Sequence, residues 1–354
     1  MTPPLFFWGW LRWVPQRLVL PPLLVALTVL LWSTSPLWLL AGGLLSPFVP
    51  GWLRPVRLLW LLVVHLTLES LILIELLGLW VASGFGLLLR RPFFERAHYD
   101  IVQAYLVVFV REARRVLRLQ IETVGPAPDA LPGSPLLVFS RHAGPGDSFV
   151  LMYALMHWYG REPRVVLKET LAWDPALGII LGRLPNRFLS DHPATGHDLE
   201  SEVSELASGL DDDDAVVIFP EGGNFTPHRR ARAIARLRRL GLERMAARAE
   251  AMHNVLAPRP GGVLAALDAA PEADVLLVAH TGLDHVTTVL DAWHSLPMDK
   301  HLLMGWWRVP RAEIPTGREE RIDWLYDRWQ RIDEWVDEHR PRDLPRPKPW
   351  PVRR

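Results

Sequence analysis

The stretch Phe139-Ser-Arg-His-Ala-Gly-Pro-Gly-Asp-Ser148 sets a histidine and an aspartate, His142 and Asp147, five residues apart across a Gly-Pro-Gly bend. On a continuous helix that spacing turns about 500° and points the two side chains apart. The flanks predict another geometry. Upstream, Leu136-Leu-Val-Phe139 is a short apolar run with the character of a buried strand. Downstream, Ser148 to Trp158 is apolar and free of Gly and Pro, which predicts a buried helix with Asp147 at its N-cap. A strand–bend–helix junction folds the chain back and brings a carboxylate to an imidazole. That pairing fixes the tautomer of the histidine and raises its basicity, as a general base requires. A plain hydrogen-bonded histidine at a strand end is the competing reading.

Outward from this junction, short apolar runs recur at Leu136–Phe139, Val165–Leu167, Ala215–Phe219, Val275–Ala279 and Leu302–Val309. Helical stretches lie between them, notably at Ser148–Trp158, His197–Leu210 and Arg229–Ala251. The alternation predicts an α/β domain, a mainly parallel sheet flanked by helices, with ligands at the carboxyl ends of its strands. Two more clusters sit at such ends. Lys168 follows one strand, and Arg183 and Arg187 follow the Gly178-x-x-x-Gly182 segment that comes after it, an arrangement suited to a phosphate or to a solvated loop. Phe219-Pro-Glu-Gly-Gly-Asn224 ends another strand in an acid, Glu221, and in Gly222 and Gly223, whose backbone is free to turn N–H groups toward a ligand. Thr226-Pro227 then caps an arginine-rich helix, either a solvated face or a contact for anionic headgroups. The Asp211–Asp214 run reads as a solvated loop rather than a metal site. Asn254–Gly262 reads as a strand-to-loop segment offering Arg259, and Arg321–His339 as an amphipathic core helix.

Composition narrows the chemistry. The chain of 354 residues has no cysteine, which excludes disulfides, thiolate catalysis and cysteine-ligated metal. Lys+Arg and Asp+Glu balance at 39 each, so net charge gives no reason to expect a nucleic-acid partner. The apolar excess lies in the first ninety residues. Leu18–Trp32 and Leu37–Trp52 are uncharged, and Leu58–Leu89 carries only His65, Glu69 and Glu75. These runs predict membrane-inserted helices, flanked by tryptophans and followed by arginines that place the next domain in the cytoplasm. Phe93–Ile121 reads as an amphipathic helix. The expected organisation is membrane helices over 1–92, amphipathic helix and linker over 93–133, the α/β domain over 134–340 and a Pro/Arg-rich tail over 341–354.

Taken in order, the clusters resemble the glycerolipid acyltransferase superfamily that contains the 1-acylglycerol-3-phosphate acyltransferases. Its H-x-x-x-x-D motif is met by His142 and Asp147. Its second motif is met by Lys168, Leu171, Pro175 and Gly178, and its F-P-E-G motif by Phe219, Pro220, Glu221 and Gly222. Thr226-Pro227, the basic helix and Pro258-Arg259 are most similar to the lysocardiolipin-acyltransferase-like branch. The chain departs from the pattern at Arg141, where asparagine is usual, at Gly223-Asn224 in place of Thr-Arg, and at Asp191, where the second motif commonly ends in arginine.

The resemblance implies transfer of an acyl group from acyl-CoA, or an acyl-carrier protein, to a hydroxyl of a lysophospholipid such as 1-acyl-sn-glycerol-3-phosphate. His142 is then the general base and Asp147 its orienting partner. Lys168, Arg183, Arg187, Glu221, Gly222, Gly223, Asn224 and Arg259 are expected to bind the substrates. Arg141 reads as a new phosphate contact or the mark of an unusual acceptor. Neither a metal nor a cofactor is expected, nor a nucleic-acid partner, and the domain is expected to work against the bilayer. Two readings compete with this one, a lipid-ester hydrolase using the same His–Asp pair and a non-catalytic membrane-anchored lipid-binding module.

Overall fold

In a computed structural model, residues 15–125, 134–189, 199–284, 286 and 289–341 are described. Asp191 and the tail beyond residue 341 fall outside them. The described residues divide into two compact units, one within Met1–Arg118 and Val166–Thr195, the other within Leu119–Val165 and Gly196–Arg354. The division differs from the expected boundaries, because the segment after Val166 groups with the N-terminal helices.

The first unit is led by four helices, α1 (Leu20–Ser33), α2 (Ser35–Leu45), α3 (Arg54–Ala82) and α4 (Pro92–Leu117). The helices either side of Thr34 meet at 64°, with Pro36 in the first turn of α2. At 29 residues, α3 is long enough for a bilayer core of about 30 Å. Leu23, Leu30, Leu40, Leu44, Ile74 and Leu77 are all exposed on α1–α3. The polar side chains turn inward instead. Ser70 Oγ donates to Thr28 Oγ1 at 2.9 Å, and Trp32 Nε1 donates to Thr67 Oγ1 at 2.9 Å. Glu69, a buried acid in an apolar helix, lies 3.2 Å from His65 Nε2. Such stitching is how helices with apolar outer faces associate.

α4 ends earlier than the expected Ile121. Arg118 takes a left-handed conformation (φ 55°), and the chain continues as strand β1 (Leu119–Val124). Leu119 and Ile121 are buried and Gln120 and Glu122 exposed, the two-residue period of a strand.

The remaining elements follow as β2 (Leu136–Ser140), α5 (Pro145–Tyr153), β3 (Glu162–Lys168), α6 (Leu177–Leu181), β4 (Arg187–Leu189), α7 (Leu199–Leu206), β5 (Asp214–Ile218), α8 (Pro227–Arg239), α9 (Glu243–Ala251), α10 (Pro260–Ala269), β6 (Asp274–Thr281), α11 (Val289–His294), β7 (Lys300–Val309) and α12 (Arg318–His339). In the second unit the strands run in the order β1-β7-β6-β2-β5-β3, parallel except for the β6–β7 pair. The last residues of β3, in the first unit, pair with β4.

Expected helix Arg229–Ala251 is two helices, broken at Gly241. Asn254–Gly262 contains no strand. Asn254 N donates to Asp333 Oδ1 and Leu256 N to Glu221 Oε2, while Arg259 N donates to the carbonyl of Pro220. Asp214 is not a solvated loop residue; it opens β5, is buried, and receives Arg164 Nε at 2.8 Å.

The central strands are buried on both faces, with Leu137, Val138, Phe139, Val216, Val275 and Val278 fully covered, which is why they read as unbroken apolar runs. Register aligns Phe139 with Ile218 on one side and Ser140 with Val278 on the other. The chain therefore leaves β5, β2 and β6 at the same sheet edge.

On α12, Leu325, Tyr326, Trp329, Ile332 and Val336 are buried, as expected for a core helix. Replacing fully buried Trp329 by alanine should lower stability by about 3–5 kcal/mol. The exposed neighbour Gln330→Ala should change it by less than about 0.5 kcal/mol. Denaturant melts of the full chain in detergent measure both.

Candidate active site

β2 delivers Arg141, His142 and Ala143 to the shared sheet edge, and α5 begins at Pro145. Asp147 is thus the third residue of the helix rather than its N-cap. Its carboxylate reaches back, with Oδ2 accepting the N–H of Ala143 at 2.7 Å and also that of Gly144. At position 144 a Cβ would stand 2.9 Å from the carbonyl oxygen of Val286, so the bend has room only for glycine.

His142 stacks at a tilt on Phe219, just after β5, with ring centroids 4.6 Å apart. Its carbonyl accepts the N–H of Phe225 at 2.8 Å. Nδ1 lies 3.8 Å from Asp147 Oδ2, a charge contact about 1 Å longer than a hydrogen bond. Nδ1 is buried, while the side chain as a whole is 18% exposed. Nε2 is the nitrogen left for a substrate proton.

A second imidazole, which the sequence reading did not single out, converges on the same oxygen. His280, near the end of β6, places Nε2 3.5 Å from Asp147 Oδ2 and 2.9 Å from the carbonyl oxygen of Arg141. Its signal in the sequence was its position, directly after an expected strand, as with His142. Burial opposes charge on Asp147, but His280, His142, the Gly144 N–H and Arg141 together hold its carboxyl below the ordinary range.

Arg141 is no phosphate contact. It is 1% exposed and its guanidinium is committed inside the domain. Nε and Nη2 donate to the carbonyl of Asn254 at 3.2 and 2.9 Å, and Nη1 to that of His280 at 2.5 Å. Nη2 also pairs with Asp284 Oδ1 at 2.5 Å. Burial disfavours both charges of this pair, and each holds the other ionised.

Glu221 likewise departs from the expected substrate contact. It is fully buried, with Oε1 accepting the N–H of His142 at 3.1 Å and Oε2 that of Leu256 at 2.9 Å. It braces the loop that carries His142. Burial pushes its pKa up to about 8 against the pull of Arg141 and the two N–H groups.

Beyond Glu221 the chain turns outward. Gly222 has φ 66°, and a Cβ there would strike the Arg259 guanidinium at 2.8 Å. A Cβ on Gly223 would lie 3.1 Å from Arg229 Nη1, which itself donates to the carbonyl of Asn224 at 3.1 Å. Burial and the charge of Arg236 lower the pKa of Arg259. Glycine backbone and guanidinium groups thus form a cradle that an anion would relieve of its like-charge repulsion.

Lys168, Arg183 and Arg187 belong to the first unit. Lys168 is exposed at the end of β3. The Val166–Arg187 register puts its side chain on the same face of the two-stranded ladder as that of Arg187. Arg183 turns inward, donating from Nη1 to the carbonyl of Leu76 at 3.1 Å beside His98 Nε2 at 3.3 Å, so it braces helices rather than presenting its charge.

Residues 118–269 match the acyltransferase family model, a span holding His142, Asp147, Lys168, Glu221 and Arg259. That matched span, a little under half of the chain, is what it shares with the acyltransferase family. Lysocardiolipin acyltransferase 1 of Mus musculus is 23% identical over 214 residues, 58% of this chain and 54% of that protein. An uncharacterized acyltransferase of Schizosaccharomyces pombe is 22% identical over 184 residues, 49% of this chain and 50% of its own length. The chain therefore spans about half the length of the curated relatives it matches. Among solved structures, the 1-acyl-sn-glycerophosphate (LPA) acyltransferase PlsC from Thermotoga maritima aligns over 80% of this chain and 97% of its own, with 16% identity and a TM-score of 0.48.

Because the pKa of Asp147 in the folded chain is depressed, its contribution to stability is present above the unfolded value of about 3.9 and is lost as pH falls through the folded value. Wild type should therefore exceed Asp147→Asn by about 1–3 kcal/mol near pH 6, the worth of a buried charged hydrogen-bond acceptor. The gap should close as the pH is taken below 4 (about the unfolded pKa), which paired denaturant melts would show.

Proposed function

We propose that this chain is a membrane-bound acyltransferase that moves a fatty acyl group from acyl-CoA to a hydroxyl of a lysophospholipid, with 1-acyl-sn-glycerol-3-phosphate the first acceptor to test. The observation that carries the reading is the His142–Asp147 pair, set between two strand ends. One of those, the end of β5, also carries the glycine–arginine cradle. A base and an anion site at one edge suit an acceptor that has both a hydroxyl and a phosphate.

In this reading Nε2 of His142 takes the proton of the acceptor hydroxyl as its oxygen attacks the thioester carbonyl. The tetrahedral oxyanion collapses, the C–S bond breaks, and the imidazolium returns its proton to the departing thiolate. Asp147, kept anionic, stabilises the imidazolium between these steps. No protein nucleophile is required, since the thioester is already activated. Within the bend, Pro145 has no N–H and that of Gly144 is spent on Asp147, so the N–H of Gly146 in the first turn of α5 is the donor assigned to the oxyanion. The cradle of Gly222, Gly223, Asn224, Arg229 and Arg259 takes the acceptor phosphate.

The apolar outer faces of α1–α3 support insertion in a bilayer, where both acyl substrates partition. Arg90, Arg91, Arg96, Arg111, Arg114, Arg115 and Arg118 after α3 favour a cytoplasmic catalytic domain. The name of the mouse relative supports a lysolipid acceptor.

With labelled acyl-CoA and a panel of lysophospholipids, His142→Ala in purified membranes should lower transfer by a factor of about 10² to 10⁴ with the melting temperature retained. Full activity in that folded variant would remove His142 as the base. Free fatty acid with no acylated lysolipid would make the protein a hydrolase. Lipid binding without turnover on any acceptor would make it a non-catalytic module.

A further inference from the structure

The carboxylate oxygen that faces His142 is not held by its own loop alone. Oδ2 of Asp147 takes the N–H groups of Ala143 and Gly144 from within the bend. Besides His142 Nδ1, a second imidazole approaches it from another strand, with Nε2 of His280 in charge contact at 3.5 Å. That nitrogen also lies 2.9 Å from the carbonyl oxygen of Arg141. A ring nitrogen facing a carbonyl and a carboxylate must carry a proton, because a lone pair there would oppose both acceptors. The His280 ring is buried on a central strand, and its own carbonyl accepts Arg141 Nη1 at 2.5 Å. Arg141 and His280 thus clasp each other reciprocally, side chain to backbone, across the ends of β2 and β6. Arg141 is anchored in turn on Asp284, which accepts Thr281 Oγ1 at 2.8 Å and the N–H of Gly282 at 2.9 Å.

We propose that His280 is a positioning residue for the acyl-transfer reaction, its Nε2–H holding Oδ2 of Asp147 toward His142 while the Arg141–Asp284 pair locks the His280 ring. The two imidazoles have different duties on one oxygen. His142 is partly open and exchanges protons with substrate, whereas His280 is closed in and donates a proton that it does not give up. The inference rests on His142 being the base. A carboxylate free to turn away would leave the imidazolium unsupported only while it carries the substrate proton, so the loss falls on turnover and not on acceptor binding.

The test compares full-length His280→Leu and His280→Gln, the second restoring an uncharged N–H near the Nε2 position, with wild type and His142→Ala in lipid nanodiscs. The expected result is that His280→Leu lowers kcat about ten- to a hundredfold, the usual effect of removing a partner that orients a working group. KM for the lysolipid should stay within about twofold, and His280→Gln should recover most of the turnover. Unchanged kcat in a folded His280→Leu protein, a loss carried by KM, or a His280→Gln protein no better than His280→Leu would each overturn the proposal. A readout independent of activity is the 15N spectrum of labelled histidine, assigned by the signal lost in His280→Gln. A protonated Nε2 is expected, and a neutral ring protonated only on Nδ1 would overturn the donor role whatever the kinetics show. A wild type that transfers no acyl group yet shows the protonated Nε2 would count against the proposed function while leaving the Asp147–His280 contact supported.

Discussion

One oxygen atom organises the candidate site of this domain. Oδ2 of Asp147 gathers two backbone N–H groups and two imidazoles, from a bend, a helix and a neighbouring strand. The helix start makes this possible, because a carboxylate at the third helical position can reach back to the N-cap N–H, where it also meets the positive end of the helix. The register of β5, β2 and β6 then decides which residues arrive beside it. Had β6 slipped by one residue, the face of every side chain along it would have reversed, taking His280 out of reach.

Around that oxygen lies an unusual amount of buried charge. Arg141, Asp147 and Asp284 are held ionised by one another, while Glu221, pushed up to about 8, is mainly protonated at neutral pH. One cation against two anions leaves the resting cluster with a negative excess. The arrangement is also demanding, since removing one partner of such a buried pair costs about 3–5 kcal/mol.

The architecture was legible in the sequence because the central strands are covered on both sides. Leu136–Phe139, Ala215–Phe219 and Val275–Ala279 are apolar without interruption, and the strands they announced are present. β1 went unseen because no Gly or Pro separates it from α4; the break is a left-handed arginine, invisible to pattern. β4, three residues long, is too short to have a period. At the site, the His142–Asp147 approach followed from local spacing, but the duty of Glu221 did not. An acid followed by two glycines looks like a ligand-binding tip, and nothing local tells that its oxygens meet N–H groups 79 and 35 residues away. Arg141 misled for the same reason, its partners being strand ends and loops more than a hundred residues distant.

The clasp between β2 and β6 bears on how substitutions at this edge can accumulate. Arginine at position 141 brings a full charge into a dry interior, and Asp284 is the acid that makes it tolerable there. With asparagine at 141 the same aspartate would be an uncompensated buried anion, and the ring at 280 would lose the guanidinium bonded to its carbonyl. Positions 141, 280 and 284 therefore form one unit in physical terms. Arginine without the acid, like the acid without arginine, would leave one charge unpaired in the interior, so the two residues are exchangeable only together.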